Sequence, residues 1–331
     1  MNAETHSLKE KIFRIDNAGD FSRVALEIFH YQAKKNSVYA EYLRLLGVNL
    51  SEINSPEEIP FLPISFFKTH QVLSGACAPE LVFESSGTSA QTPSRHYVSD
   101  RQLYVSGFTK CFELFFGATA QYVVLALLPS YLERKNSSLV FMADELIRLT
   151  KHPASGFFLN DYNALAERLT TLEKSRQKTL LLGVSFALLD FAENFPLPLK
   201  HTLIMETGGM KGKRKELTRE ELHAVLKTAF QTEKIYSEYG MTELLSQAYS
   251  TEDGMFLCPP WMKIFIRNPY DPFETLAPGK SGGINIIDLA NLDSCSFIQT
   301  DDLGKLHPDG RFEVLGRMES AELRGCNLLL E

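Results

Sequence analysis

Apolar residues recur three or four apart through 7-SLKEKIFRI-15 and 21-FSRVALEIFHYQAKK-35. That spacing lays one face of an α-helix on a core, so residues 8–47 are expected to be helical. A loop rich in Pro, Ile and Phe follows from 55 to 70. From about 80 to 240, short apolar runs alternate with amphipathic stretches. The runs 81-LVFES-85, 122-YVVLALL-128, 178-KTLLLGV-184, 201-HTLIME-206 and 234-KIYSEYG-240 read as strands. Helices are expected near 100–116, 137–150, 161–175, 185–194 and 218–231. Apolar strands alternating with helices imply parallel pairing with helices on both faces of the sheet. Beyond 255, Pro and Gly separate the shorter strands 263-KIFIRN-268, 282-GGINIID-288, 296-SFIQT-300 and 304-GKLHPDGRFEVLG-316, in which HPDGR reads as a hairpin turn. The expected fold class is α/β: parallel sheets with helices on both faces, plus a small antiparallel β subdomain. Residues 1–255 are expected to form the helical N-terminus and α/β core, and 256–331 the β subdomain with a short tail.

Composition narrows the class. A chain of 331 residues suits one large domain or two small ones. Apolar residues at 44% and charged residues at 23% are ordinary for a soluble globular protein. The net charge of −7 leaves no global basic field, which argues against nucleic acid as a partner. Cysteines 77, 111, 258, 295 and 326 show no CxxC spacing and are expected to be reduced thiols in a cytoplasmic protein without a zinc site. The start, MNAETHSLKEK, lacks the apolar stretch of a signal peptide. The longest apolar runs, 122–128 and 179–191, are too short to span a bilayer and suit buried strands.

Open α/β sheets place ligands beyond the carboxyl ends of their strands, so chemistry is expected in the loops after 85, 206 and 240. The loop 85-SSGTSAQTPSR-95 gathers hydroxyls and a glycine behind a strand and ends in an arginine. Backbone N–H groups in such a turn can cradle phosphate oxygens, with Arg95 supplying positive charge, although Ser/Gly/Thr clusters are also ordinary in polar loops. There is no GK[ST], so it is not a Walker A loop. In 207-TGGMKGKR-214 the paired glycines let a flat ligand approach the backbone; the same run also reads as a solvated basic turn. In 237-SEYGMTE-243, Glu243 suits Mg²⁺, which takes one or two carboxylates plus phosphate oxygens. It also suits an acid at a helix N-terminus. In 300-TDDLGKL-306 a buried carboxylate can accept two ribose hydroxyls, or the pair can simply form an Asp-rich turn.

The order of these loops carries more than any one of them. A Ser/Gly/Thr loop, a GG loop, YG-x-TE, TDD and then 316-GR-317 resembles the motif series of adenylate-forming enzymes, the acyl-activating superfamily that includes acyl-CoA synthetases. The resemblance runs from about residue 60 to the end, and YGMTE matches without a change. The first loop departs from the family's SSGTTGxPK: Arg95 stands for the lysine and the second glycine is missing. The resemblance implies ATP and Mg²⁺ as cofactors and a carboxylic, fatty-type acid as substrate. Ser85, Ser86, Gly87, Thr88, Ser89 and Arg95 would hold the phosphates. Gly208, Gly209, Met210, Ser237, Glu238, Tyr239 and Gly240 would border the adenine. Thr242 would contact the α-phosphate, Glu243 would hold the metal, and Asp302 with Arg317 would bind the ribose.

Most of the superfamily continues into a C-terminal domain whose lysine serves adenylation, whereas here only residues 318–331 follow Arg317. Another cation, Lys68, Lys211 or Lys213, is the expected substitute, unless the first step is slow or absent. One branch, the acyl-protein synthetases of bacterial luminescence, is similar both in 61-FLPISFFKTHQV-72 and in the ending 322-ELRGCNLLLE-331. That likeness makes Cys326 the acyl acceptor, with an acyl reductase or acyl-carrier protein as the partner. Against it stand the LLL that follows and the ordinary burial of free cysteines. Phe66, Phe67 and Tyr236 are candidates for an acyl pocket, His70 and His201 for the vicinity of the site, and Cys258 for its lining. The alternatives are an acid–CoA ligase of the phenylacetate type and a catalytically inactive nucleotide-binding subunit.

Overall fold

The computed structural model describes residues 3–85, 92–129, 136–208, 217–252 and 254–318. Two compact units divide the chain: residues 1–82, 86–103 and 257–331 form a split unit, and 83–85 with 104–256 a central unit.

The split unit opens with α1 (Ala3–Ile12), α2 (Ala18–Lys35) and α3 (Ser37–Leu45). Asn17 caps α2, its side chain accepting from Asp20 N at 2.9 Å. Asn36 serves two helices: its N–H closes the end of α2 on Gln32 O, and its side chain accepts from Tyr39 N at the start of α3. The 55–70 segment holds β1 (Leu62–Pro63) and α4 (Phe66–Thr69), after which β2 (Leu81–Glu84) pairs with β3 (Arg95–Val98).

The central unit alternates as its periodicity implies: α5 (Arg101–Phe116), β4 (Val123–Leu127), α6 (Ser138–Thr150), β5 (Gly156–Phe158), α7 (Tyr162–Lys174), β6 (Thr179–Val184), α8 (Ser185–Asn194), β7 (Thr202–Thr207), α9 (Arg219–Phe230) and β8 (Tyr236–Tyr239). Then come β9 (Ala248–Glu252) and β10 (Met255–Leu257), and the strand order is β10-β9-β8-β7-β6-β4-β5. Strands β4 to β8 pair in parallel. Every residue of β4 and β6 is buried, so both faces of the sheet are covered there. The antiparallel pairing of β9 with β8 was not anticipated. Residues 240–247 join the two, too short a link for the crossover that a parallel pair needs.

The chain then returns to the split unit as an antiparallel sheet of β11 (Met262–Arg267), β12 (Ser281–Asp288), β13 (Phe297–Leu306) and β14 (Phe312–Arg317), with β1 added in parallel to β13. HPDGR makes the β13–β14 turn: His307 N donates to Arg311 O at 2.8 Å, and Gly310 takes φ +85°, the left-handed region that glycine enters freely. The N-terminal helices group with these strands in the split unit. Gln32 shows why. Its Nε2 donates to Asn291 O and Leu292 O at 3.1 and 2.9 Å, and its Oε1 accepts from Ser296 N at 2.9 Å.

Candidate active site

In the central unit, β7 and β8 end side by side, with Glu206 opposite Ser237 and Thr207 opposite Glu238. Two apolar strands thus deliver two buried carboxylates to one end of the sheet. Glu206 is a hub. Ser185 Oγ, at the start of α8, lies 3.1 Å from Glu206 Oε2 and donates to Gly208 O at 2.6 Å. Arg219 Nε, at the start of α9, lies 3.3 Å from Glu206 Oε1, and His223 Nε2 lies 3.7 Å from it. The Nε2 atom of His223 also lies 3.2 Å from Ser237 Oγ. Burial opposes ionisation of Glu206, but His223, the charge of Arg219 and Ser237 together outweigh it and hold its pKa below the usual value. Glu238 behaves oppositely. Burial pushes its pKa up to about 7, against the stabilising hydroxyl of Thr207 and with the repulsion of Glu206. The two carboxylates therefore differ, Glu206 ionised and Glu238 shared between its protonated and ionised forms near neutrality.

The YGMTE segment continues from this point. Tyr239 lies beside Phe256, whose ring is capped by the Arg219 guanidinium at 4.9 Å. A Cβ at Gly240 would stand 2.3 Å from Glu238 Oε1, so a side chain there would displace that carboxylate. Residues 241–247 form turns and bends, so the alternative reading of Glu243 as a helix-terminal acid has no helix to serve. Glu243 is buried and Thr242 partly exposed. Gly208, directly after β7, takes φ +68°, the left-handed region that glycine enters freely.

In the split unit, Asp302 on β13 faces Arg317 on β14 in register, with Nε and Oδ1 3.5 Å apart. The Arg317 side chain is 80% exposed and that of Asp302 only 13%, so the carboxylate is the anchored partner. Lys68 and His70 are exposed on and after α4, and Arg95 is exposed at the start of β3. Phe66 stacks on His70 and Phe67 packs against His96, whereas Tyr236 packs on Phe116 in the other unit. His201 is exposed, its N–H bound by Glu173. Cys258 and Cys295 have thiol pKa values pushed up by burial, Cys295 to about 12, which makes both poor nucleophiles. Ser86, Gly87, Thr88, Ser89, Gly209, Met210, Lys211, Lys213 and Cys326 lie outside the described residues. Sequence reading missed Ser185, Glu206, Arg219 and His223. The available signal was an acid at the end of an otherwise apolar strand, LIMET, which demands buried partners.

The fold is that of adenylate-forming ligases. ATP-bound MatB from Rhodopseudomonas palustris superposes with a TM-score of 0.57 at 17% identity, covering 73% of this chain and 49% of that one. 2-Hydroxyisobutyryl-CoA ligase with 2-HIB-AMP and CoA, in the thioesterification state, gives 0.66 at 15% identity over 92% of this chain and 70% of that one. The chain thus spans about half the length of MatB. Residues 15–331 match the family described as acyl-protein synthetase, LuxE, and the chain belongs to that family. No curated protein matches it.

Proposed function

We propose that the protein activates a carboxylic acid, of the fatty type, with ATP and transfers the acyl group to a thiol, its own Cys326. What carries this reading is the family match over 15–331, on a chain whose YGMTE segment follows the sheet end at β8. In the first step a carboxylate oxygen attacks the α-phosphorus. The bond to the β,γ-phosphates breaks, and pyrophosphate leaves with its electron pair. In the second, a thiolate attacks the acyl carbonyl and AMP departs. Positioning and neutralisation of oxygen charge supply most of such catalysis.

Ser85, Ser86, Gly87, Thr88 and Ser89 would seat the phosphates with Arg95, and Thr242 would contact the α-phosphate. Gly208, Gly209, Met210 and the Ser237–Gly240 segment would border the adenine. Asp302 and Arg317 would take the ribose. No cluster of three metal-binding side chains occurs among the described residues. A single carboxylate still fits Mg²⁺, which keeps water and phosphate as its other ligands. Glu243 would hold it, and the bound ion would offset phosphate charge. Lys68 is the described cation assigned to the adenylation step. No helix among the described residues is long and apolar enough to cross a membrane, and the enzyme is proposed to act in the cytoplasm, handing its acyl group to a reductase or carrier protein.

The test supplies ATP, Mg²⁺ and a series of radiolabelled acids, with and without CoA, and with labelled pyrophosphate for the exchange. Acid-dependent pyrophosphate exchange is expected, with label bound to protein through SDS and released by neutral hydroxylamine. In Cys326→Ser the label should disappear while exchange persists. Free acyl-CoA as the product would replace this reading with the acid–CoA ligase, and no exchange with any acid would leave a non-catalytic nucleotide-binding subunit.

A further inference from the structure

Strand β13 leaves its ladder where it carries the two aspartates. Asn285 on β12 faces Gln299, and Gly283 faces Leu303, so Ile284 alone stands opposite Thr300, Asp301 and Asp302. The two surplus residues form a bulge, and carbonyls that would have paired across the ladder need other donors. Arg267, the last residue of β11, provides them from a side chain only 3% exposed. Its Nη1 donates to Ile284 O and Asn285 Oδ1, both at 3.0 Å, and its Nη2 to Thr300 O at 2.7 Å. Thr300 completes the stitch: Oγ1 donates to Ile284 O at 2.8 Å and accepts from Asp302 N at 3.1 Å.

Space for the guanidinium is built into β12. The residue opposite Arg267 is Gly283, and a Cβ there would lie 2.4 Å from Arg267 Cζ. The acceptors are neutral, and among the described residues no carboxylate comes within ion-pair distance of Arg267. Burial lowers its pKa and the charges of Asp301 and Asp302 raise it, so the attraction runs towards the bulge it supports. A lysine could not make this fork of parallel bonds.

We propose that Arg267 is the positioning residue for Asp302: by pinning the bulge at Thr300 and Ile284 it sets the carboxylate where two ribose hydroxyls are received. The inference rests on the assignment of Asp302 to the ribose, and its test separates the two. The full chain is titrated with ATP and with 2′,3′-dideoxy-ATP, which lacks both hydroxyls. The wild type should prefer ATP. Arg267→Met should lower ATP affinity about tenfold or more, leave dideoxy-ATP unaffected and so abolish the preference, since a hydrogen bond to a charged group is worth that much. Gly283→Ala, which displaces the guanidinium without removing it, should do the same, and Arg267→Lys should recover only part of the preference. Near-UV circular dichroism establishes that each variant is folded; if the methionine variant is not, the ratio is read on the other two. A wild-type ratio in these variants, with the preference lost in Asp302→Ala, overturns the role of Arg267. A wild-type ratio in Asp302→Ala itself overturns the ribose assignment, and the proposal with it.

Discussion

At the scale of single residues, the end of the central sheet is a matter of two neighbouring glutamates with opposite tendencies. Glu238, with its pKa raised from 4.5 to about 7, binds a proton more tightly folded than unfolded. Its contribution to stability is therefore full below about pH 4.5 and is lost as pH rises towards 7. Glu238→Gln mimics the protonated form and should remove this loss. The difference in unfolding free energy between variant and wild type, read from urea curves, should grow in favour of the variant by about 3 kcal/mol between pH 4 and pH 8. A difference that stays constant with pH would mean that Glu238 ionises in the ordinary range. Glu206 has the reverse sign: its depressed pKa stabilises the fold above the unfolded value and stops doing so on acidification. Neither behaviour is readable from LIMET or YSEYG as strings. That of Glu238 depends on burial beside Thr207 and Glu206 on the neighbouring strand, that of Glu206 on the groups that α9 brings to the strand end.

At the scale of elements, one buried asparagine organises the helical N-terminus. Asn36 ends α2, begins α3 and donates Nδ2 to Ser294 O at 2.9 Å. Asn36→Ala should cost about 1–3 kcal/mol in urea unfolding, combining a lost N-cap with a lost long-range hydrogen bond. A cost within a few tenths of a kcal/mol of zero would show that α3 needs no such cap. The helices themselves were plain in the periodicity, because amphipathic spacing is a local property. The double role of Asn36 was not, since Ser294 lies far away along the chain. The bulge of β13 is a comparable case: TDD reads as a turn or a binding motif, while the arginine that holds it ends a different strand.

At the scale of the whole molecule, the split unit is assembled from three separate stretches of chain. Its first helices are structural members. Lys9 Nζ bridges Asp100 and Asp293 at 2.9 and 2.7 Å, Gln32 satisfies the 291–296 turn, and Tyr39 stacks near Phe297 with ring centroids 6.0 Å apart. A chain starting at residue 48 should therefore lose the cooperative near-UV transition of this unit on heating. A transition retained at the same midpoint would make the helices peripheral.

Periodicity alone determined the helices, the parallel strands and the hairpin at HPDGR, because all of these express spacing within a few residues. The resemblance of the loops in order added the adenylate-forming class. Only the tertiary structure decided that the N-terminal helices join the C-terminal strands, that β9 turns back antiparallel, and that Glu206 and Arg267 are buried hubs. Those outcomes depend on contacts between residues far apart in sequence, where burial and hydrogen-bond satisfaction are settled jointly and no local pattern records them.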